Sequence, residues 1–499
     1  MELNFLNSLQ YIKPEIAITV VIFLVVLFDL IWQKNKSLLP WISLAGLVVT
    51  TFYVIEQFSM SASAFTANGT MGMLSVDPFG AFFKIIVILS SVIIVFFSLT
   101  SDEIKNVFER HGEYYTLIFG MILGMFIMIS ASDLILVYLS LELVSLSSYV
   151  LAGFTKESLR NSEASLKYII YGGTASGIML FGISLMYGMT GTTNLYMLNA
   201  LFQSPQFNGF IFWLSCILIF AGIGFKISAA PFHFWTPDVY EGAPITITAY
   251  LSIASKAAGF ALLIRFIKVT FIDSVDVSGY WTLLNLIDWK SFLILISILT
   301  MTLGNFAALW QSNMKRLLAY SSIAHAGYLL LGLAVLSNQG LVAILIYFAV
   351  YAFMNLGAFF VVMLIANKLG SEEIDDYKGL GYRMPLLGFS IAVFLISLTG
   401  IPPTAGFIAK LYLFIALVDA NMIAVAVIAL LNTVVSLYYY IKVLKNMYLV
   451  RPETELLRFS VSPASFAMLM VLLIPILVFG VYFTPLVNFA KNSIGLMGF

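Results

Sequence analysis

Cysteine is almost missing from this chain: one residue, Cys216, among 499. A single thiol forms no internal disulfide and cannot supply the ligands of a cysteine-held iron–sulfur cluster. Histidine is nearly as scarce. The three residues, His111, His233 and His325, are too scattered to suggest a metal site. Charge is also thin, at 10% of residues, with 25 basic side chains balancing 25 acidic ones, so nothing points to a nucleic-acid partner. There is no dinucleotide fingerprint opening a strand–helix unit and no haem-binding pattern. The chain is therefore expected to carry no electrons and to hold no redox cofactor of its own. Nor is a cleavable leader expected, because the first apolar run is a full span without a small-residue cleavage pattern.

What the chain has in abundance is apolar surface. Hydrophobic residues make up 61% of it and mean hydropathy is +1.00, values that suit an all-α polytopic membrane protein. Apolar runs long enough to cross a bilayer lie near 15–32, 39–58, 78–99, 114–132, 134–154, 164–188, 209–232, 244–270, 291–310, 317–337, 340–366, 386–416, 421–448 and 464–489, about fourteen helices. They divide into a three-helix segment (1–112), two five-helix units (113–270 and 290–449) and a C-terminal helix (450–499).

Loop charge predicts the orientation. If both termini share one side, the opposite loops hold 16 of the 25 basic residues, among them Lys34, Lys105, Lys156, Lys315, Arg316, Lys368, Arg451 and Arg458. The terminal side holds six: Lys13, Lys84, Arg265, Lys268, Lys290 and Lys491. The positive-inside rule places the sixteen in the cytoplasm and both termini outside. The last three, Lys226, Lys256 and Lys410, fall within spans. A weak internal repeat is also visible. Glu142, Tyr149 and Tyr168 lie 179 residues before Ser321, Tyr328 and Tyr347, and Lys226 lies 184 before Lys410. That spacing is about five spans, an odd number, so the two halves would be inverted. Pro231 interrupts the span of Lys226, while Gly400, Pro402 and Pro403 interrupt that of Lys410. Paired broken spans of this kind mark transporter sites at mid-membrane.

Ionisable residues at membrane depth are functional candidates by default, because a charged amine there costs at least ~2.5–3.5 kcal/mol. Glu142 lies near the middle of its span, where a structural pair to a neighbouring helix is the plain alternative. Lys226 is followed by Ala229, Ala230, Pro231 and Phe232, a poor setting for snorkelling to an interface. Lys256 falls 12 residues after Pro244, ~18 Å along a helix and close to the midplane. Lys410 follows its break by two turns. For His325 a relay and a structural hydrogen bond are both open. His111 and His233 read as interfacial, Asp29 as wetted or paired, and Asn305, Asn355 and Asn432 as interhelical glue. Three lysines, a glutamate and a histidine in hydrocarbon are the components of a proton relay.

The stretch Gly224-Phe-Lys226-Ile-Ser228-x-x-Pro231-Phe-His233-x-Trp235-Thr-Pro237-Asp238-Val-Tyr240-Glu241-Gly242-Ala-Pro244 resembles the signature of the subunit N family of NADH-quinone oxidoreductase, bacterial complex I. So do Ser255-Lys256, Lys315-Arg316-x-x-Ala-Tyr320-Ser-Ser-Ile-Ala-His325-Ala-Gly-Tyr328 and Gly400-Ile-Pro402-Pro403-x-x-Gly406-Phe-x-x-Lys410. The resemblance implies an antiporter-like fold with two inverted five-helix repeats, in the bacterial inner membrane or its plastid and cyanobacterial counterpart. It implies that Glu142 pairs with Lys226, that Lys256 connects, that Lys410 lies on the exit side and that His325 lies on the polar axis. NADH, FMN, iron–sulfur clusters and quinone would then belong to other subunits, and antiporter-like relatives would be neighbours in the bilayer. The larger antiporter-like subunits lack the Val239-to-Pro244 run, and one carries glutamate where Lys410 stands. A stand-alone cation/proton antiporter is the alternative reading, and a purely structural membrane arm a second.

Overall fold

A computed structural model describes residues 5–32, 35–66, 71–155, 159–204, 207–450 and 461–498. Lys34, Lys156, Arg451 and Arg458 of the loop count lie outside these residues. Among the described residues, thirteen helices are long and apolar enough to cross a membrane. In chain order the helices used below are α1 (Lys13–Ile31), α2 (Leu39–Gln57), α3 (Pro78–Thr100), α4 (His111–Ser130), α5 (Leu134–Ala152), α6 (Leu159–Thr190), α7 (Gly209–Ile227), α8 (Trp235–Gly242) and α9 (Ile245–Phe271). They continue as α10 (Trp289–Ala308), α11 (Met314–Ala334), α12 (Asn338–Leu369), α13 (Pro385–Thr399), α14 (Ala405–Asp419), α15 (Ile423–Leu449), α16 (Pro463–Val481) and α17 (Thr484–Asn492).

Short polar side chains set several of the starts by accepting the first free N–H groups. Asp133 takes those of Ile135 and Leu136 at 2.9 and 3.4 Å. Asn208 does the same for α7, Asn313 for α11 and Ser337 for α12. Two short antiparallel pairs, Ala62–Ala64 with Leu74–Val76 and Ile272–Val275 with Trp281–Leu283, sit outside the helices. The apolar pattern gave no sign of them.

The interruptions occur where prolines and glycines foretold them. α7 stops at Ile227, with Ser228 left-handed at φ 61°, and the chain re-enters a helix at Trp235. Backbone freed by such a break must find partners in a membrane. Here Trp235 Nε1 donates to the Phe225 carbonyl at 3.1 Å, and the Ala230 amide donates to Thr300 Oγ1 at 2.9 Å. The expected span 386–416 is two helices, α13 and α14, parted by Gly400 at φ 87°. The expected last span likewise divides into α16 and α17. Five crossings with the fourth one broken, α4 to α9, are followed by five more of the same order, α10 to α15. This is consistent with two inverted repeats. The breaks are not in register, however: Lys226 precedes its break and Lys410 follows its own.

α9 runs through the centre, buried along its whole length. Its residues Leu251–Ser255 form one turn of π-helix just before Lys256, a local widening that redirects side chains.

Candidate functional site

Each crossing half contributes part of one buried polar array. In the first, Lys226 occupies the last turn of α7, 1% exposed, and its Nζ has no hydrogen-bond partner. Its stem runs past Gly259 of α9, where an added Cβ would come within 3.6 Å of Lys226 Cβ. Glu142 on α5 is half-buried and makes no ion pair with Lys226, although its charge is felt by the amine and by Tyr149. The expected couple is thus two groups in electrostatic reach without contact. Tyr149 meets Tyr168 edge-on at 4.7 Å, and Tyr168 stacks on Trp235 of α8 at 4.5 Å.

Lys256 is 2% exposed and donates to Ser322 of α11 twice, to the carbonyl at 2.9 Å and to Oγ at 2.7 Å. One turn further, His325 Nδ1 lies 2.7 Å from the Tyr347 hydroxyl, and Nε2 lies 3.5 Å from that of Tyr440. Its ring stacks on Tyr351 at 4.8 Å. Tyr440 in turn meets Ser321 at 2.5 Å. Ser321, His325 and Tyr328 recur at helical spacing and so share one face of α11.

Lys410, 4% exposed, donates to the Thr399 carbonyl at 2.8 Å and to Thr433 Oγ1 at 3.4 Å. Thr399 is the last residue of α13, so the break itself supplies the acceptor for the amine. The amine also lies over the Tyr328 ring at 4.7 Å. The structure therefore brings Lys256, Ser322, His325, Tyr328 and Lys410 together, with Lys226 of α7 packed against Gly259, one turn along α9 from Lys256, and Glu142 at the edge.

The asparagines are glue with a direction. Tyr439 donates to Asn305 at 3.1 Å, and Asn305 to Asn432 at 3.2 Å, binding α10 to α15. Asn355 of α12 donates to Ser252 of α9 at 2.6 Å. Asp29 is paired with Lys36. His111, the first residue of α4, and His233, in the break after α7, are both buried; His111 Nε2 sits 3.0 Å from the Ile104 carbonyl.

Three cations that the loop count placed on the terminal side are inside helices: Lys84 in α3, and Arg265 and Lys268 in α9. Arg265 grips Asp77 through both terminal nitrogens at 2.8 and 2.9 Å, with neither side chain exposed. Asp77 also caps α3 through the Gly80 amide at 2.8 Å and receives the Met497 amide at 3.1 Å. Lys84 binds Glu15 at 2.6 Å and Gln57 at 3.0 Å, joining α1, α2 and α3. Lys268 lies over the Trp281 ring at 4.9 Å. The signal for these was the position of each cation within two turns of a helix end, which reads equally as a wetted end.

Residues 131–436 match the family described as NADH:quinone oxidoreductase/Mrp antiporter, TM. The chain is 47% identical to NADH-quinone oxidoreductase subunit N 2 of Chloroherpeton thalassium, over 97% of this chain and 94% of that protein. It is 44% identical to NADH-quinone oxidoreductase subunit N of Chlorobium chlorochromatii, over 98% and 96%. A chain of respiratory complex I from Thermus thermophilus with bound aureothin shares the fold at a TM-score of 0.78 and 28% identity, covering 96% of this chain and 99% of that one.

Proposed function

The chain belongs to the subunit N family of NADH-quinone oxidoreductase, and from that premise we propose that it moves protons through the membrane arm of that enzyme. Electron transfer from NADH to quinone takes place in other subunits, with their flavin and iron–sulfur groups, and this chain spends the energy released there. One observation carries the reading. Among the described residues, Lys226, Lys256 and Lys410 are buried at membrane depth and none sits in an ion pair. The buried cations Lys84, Arg265 and Lys315 all do, while Lys268, buried near the end of α9, lies over the Trp281 ring instead.

A lysine with no fixed counter-charge can change its protonation state when a nearby charge moves. Glu142 is that charge for Lys226. Bringing a carboxylate to 4 Å from an amine is worth on the order of 4 kcal/mol at an effective dielectric of about 20. A proton crossing 100 mV needs about 2.3 kcal/mol, so a shift of a few ångströms is enough. Glu142 and Lys226 load the proton, Lys256 passes it across Ser322 to the His325 cluster, and Lys410 releases it on the exit side.

The excess of Lys and Arg in the loops opposite the termini supports a bacterial inner-membrane protein with both termini outside the cytoplasm. Neighbouring membrane subunits, antiporter-like ones included, and lipid cover the exposed apolar faces. The experiment is Glu142→Ala and Lys226→Ala in the assembled complex, with protons pumped per NADH oxidised measured in vesicles. Both are expected to pump less, and normal pumping by both removes them from the path. A stand-alone cation/proton antiporter would instead exchange ions as a purified single chain.

A further inference from the structure

Two hydroxyls near Lys256 have no bonding partner, and both face the same serine. Tyr240 of α8 and Tyr351 of α12 are fully buried, and neither hydroxyl makes a hydrogen bond of normal geometry. Each lies beside Ser322, and the two lie beside each other. Buried polar groups are rarely left unpaired, because each unmade bond costs stability. Two such groups around one residue need an explanation that packing does not provide. Their rings are fixed: Tyr240 stands edge-on to Trp235 at 6.0 Å, and Tyr351 is stacked on His325.

Ser322 shows what the hydroxyls are for. Its carbonyl and Oγ both accept from Lys256, and its own hydroxyl hydrogen goes to the Ala319 carbonyl at 3.0 Å. Ser322 therefore offers only acceptors. That suits an ammonium, which has three donors and no lone pair. Once the proton leaves, Nζ carries a lone pair and needs a donor. Tyr347 is engaged with His325 and Tyr440 with Ser321. The uncommitted O–H groups are those of Tyr240 and Tyr351.

We infer that Tyr240 and Tyr351 are positioning residues that hold Lys256 in its neutral form, each able to donate a hydrogen bond to the lone pair left on Nζ. The tyrosines keep their own protons. Only the lysine's proton moves on, and the amine turns from the serine acceptors toward the tyrosine donors and back. Either donor is sufficient, so the pair is redundant.

This rests on the proton-transfer role proposed above for Lys256. Tyr240→Phe, Tyr351→Phe, the double variant and Lys256→Met are compared in the assembled complex. The readouts are protons pumped per NADH oxidised and the thermal midpoint of the complex. The double variant is expected to lose as much pumping as Lys256→Met, and each single variant less than half of that. No phenylalanine variant should lower the midpoint, because each removes an unpaired buried hydroxyl and keeps the ring. A structural role predicts the opposite, a lower midpoint or failed assembly, and either result overturns the inference. So does normal pumping by the double variant alongside a defective Lys256→Met. Normal pumping by Lys256→Met itself would instead refute the functional reading beneath it.

Discussion

Replacing Lys226 with methionine should separate stability from function. The amine is buried and its Nζ is unpartnered, so the native protein bears most of the cost of an ammonium at membrane depth, about 2.5–3.5 kcal/mol. Methionine fills much the same volume, so little packing is lost. Against the gain stands the attraction of Glu142, about 4 kcal/mol at 4 Å and an effective dielectric near 20, and less at the greater distance found here. The net change is therefore expected between zero and about 3 kcal/mol in favour of the variant. Purified complex carrying Lys226→Met should melt at the same temperature as the parent or higher. Its vesicles should at the same time pump fewer protons per NADH oxidised. A variant that melts several degrees lower would show that Lys226 is a structural lysine with a partner, and the reasoning from its lack of one would fail.

The paired cations should behave in the opposite sense. Arg265→Met leaves the Asp77 carboxylate buried without its main partner and should cost about 3–5 kcal/mol. Adding Asp77→Asn should recover much of that in the same thermal scan, since it removes the stranded charge. Removing residues 495–499 takes away the Met497 amide on Asp77, the Met497 carbonyl that accepts from Tyr196 at 3.0 Å, and the Gly495 carbonyl that accepts from Phe79. A loss of about 1–3 kcal/mol is expected, seen as a lower midpoint with electron transfer per assembled complex intact. At the second break, Gly400→Ala combines a left-handed backbone with a Cβ 2.7 Å from Lys410 Cδ, whereas Gly191→Ala meets a similar φ, +69°, with open space around it. Both should lose about 1–2 kcal/mol of stability, but only Gly400→Ala should also depress pumping; equal pumping by the two would dissociate Lys410 from the break.

Much of this was legible because a membrane restricts the answers. Span number followed from hydropathy, and the two breaks followed from Pro231 and from Gly400 with Pro402 and Pro403, residues that cannot continue a helix. The buried lysines stood out because an amine is conspicuous in a run of leucine and phenylalanine. Asp77–Arg265 and Glu15–Lys84 did not stand out. Each ion sits near a helix end, where sequence cannot tell a wetted charge from a buried one, and the partners are 188 and 69 residues apart. The tyrosine shell of Ser322 was hidden for a related reason. Tyr240, Tyr351 and Ser322 come from three helices whose facing sides only packing decides. The π turn before Lys256 has no residue signature either, since Leu251–Ser255 would suit an α-helix equally well.

The two broken helices present their lysines to different kinds of partner. After its break, Lys410 finds a carbonyl that the break has released, and a fixed backbone dipole of that kind always favours the ammonium. Before its break, Lys226 finds nothing fixed at all. The carbonyl at its own break, Phe225, accepts from the Trp235 indole and the Ser228 amide and not from Lys226, and Glu142 is neither fully buried nor held by an ion pair. On the proposed path, one end of the array would have a charge state favoured by a fixed acceptor, and the other would have one that answers to Glu142. An array with both ends fixed would hold protons without passing them, and one with both ends loose would leak them back down the gradient.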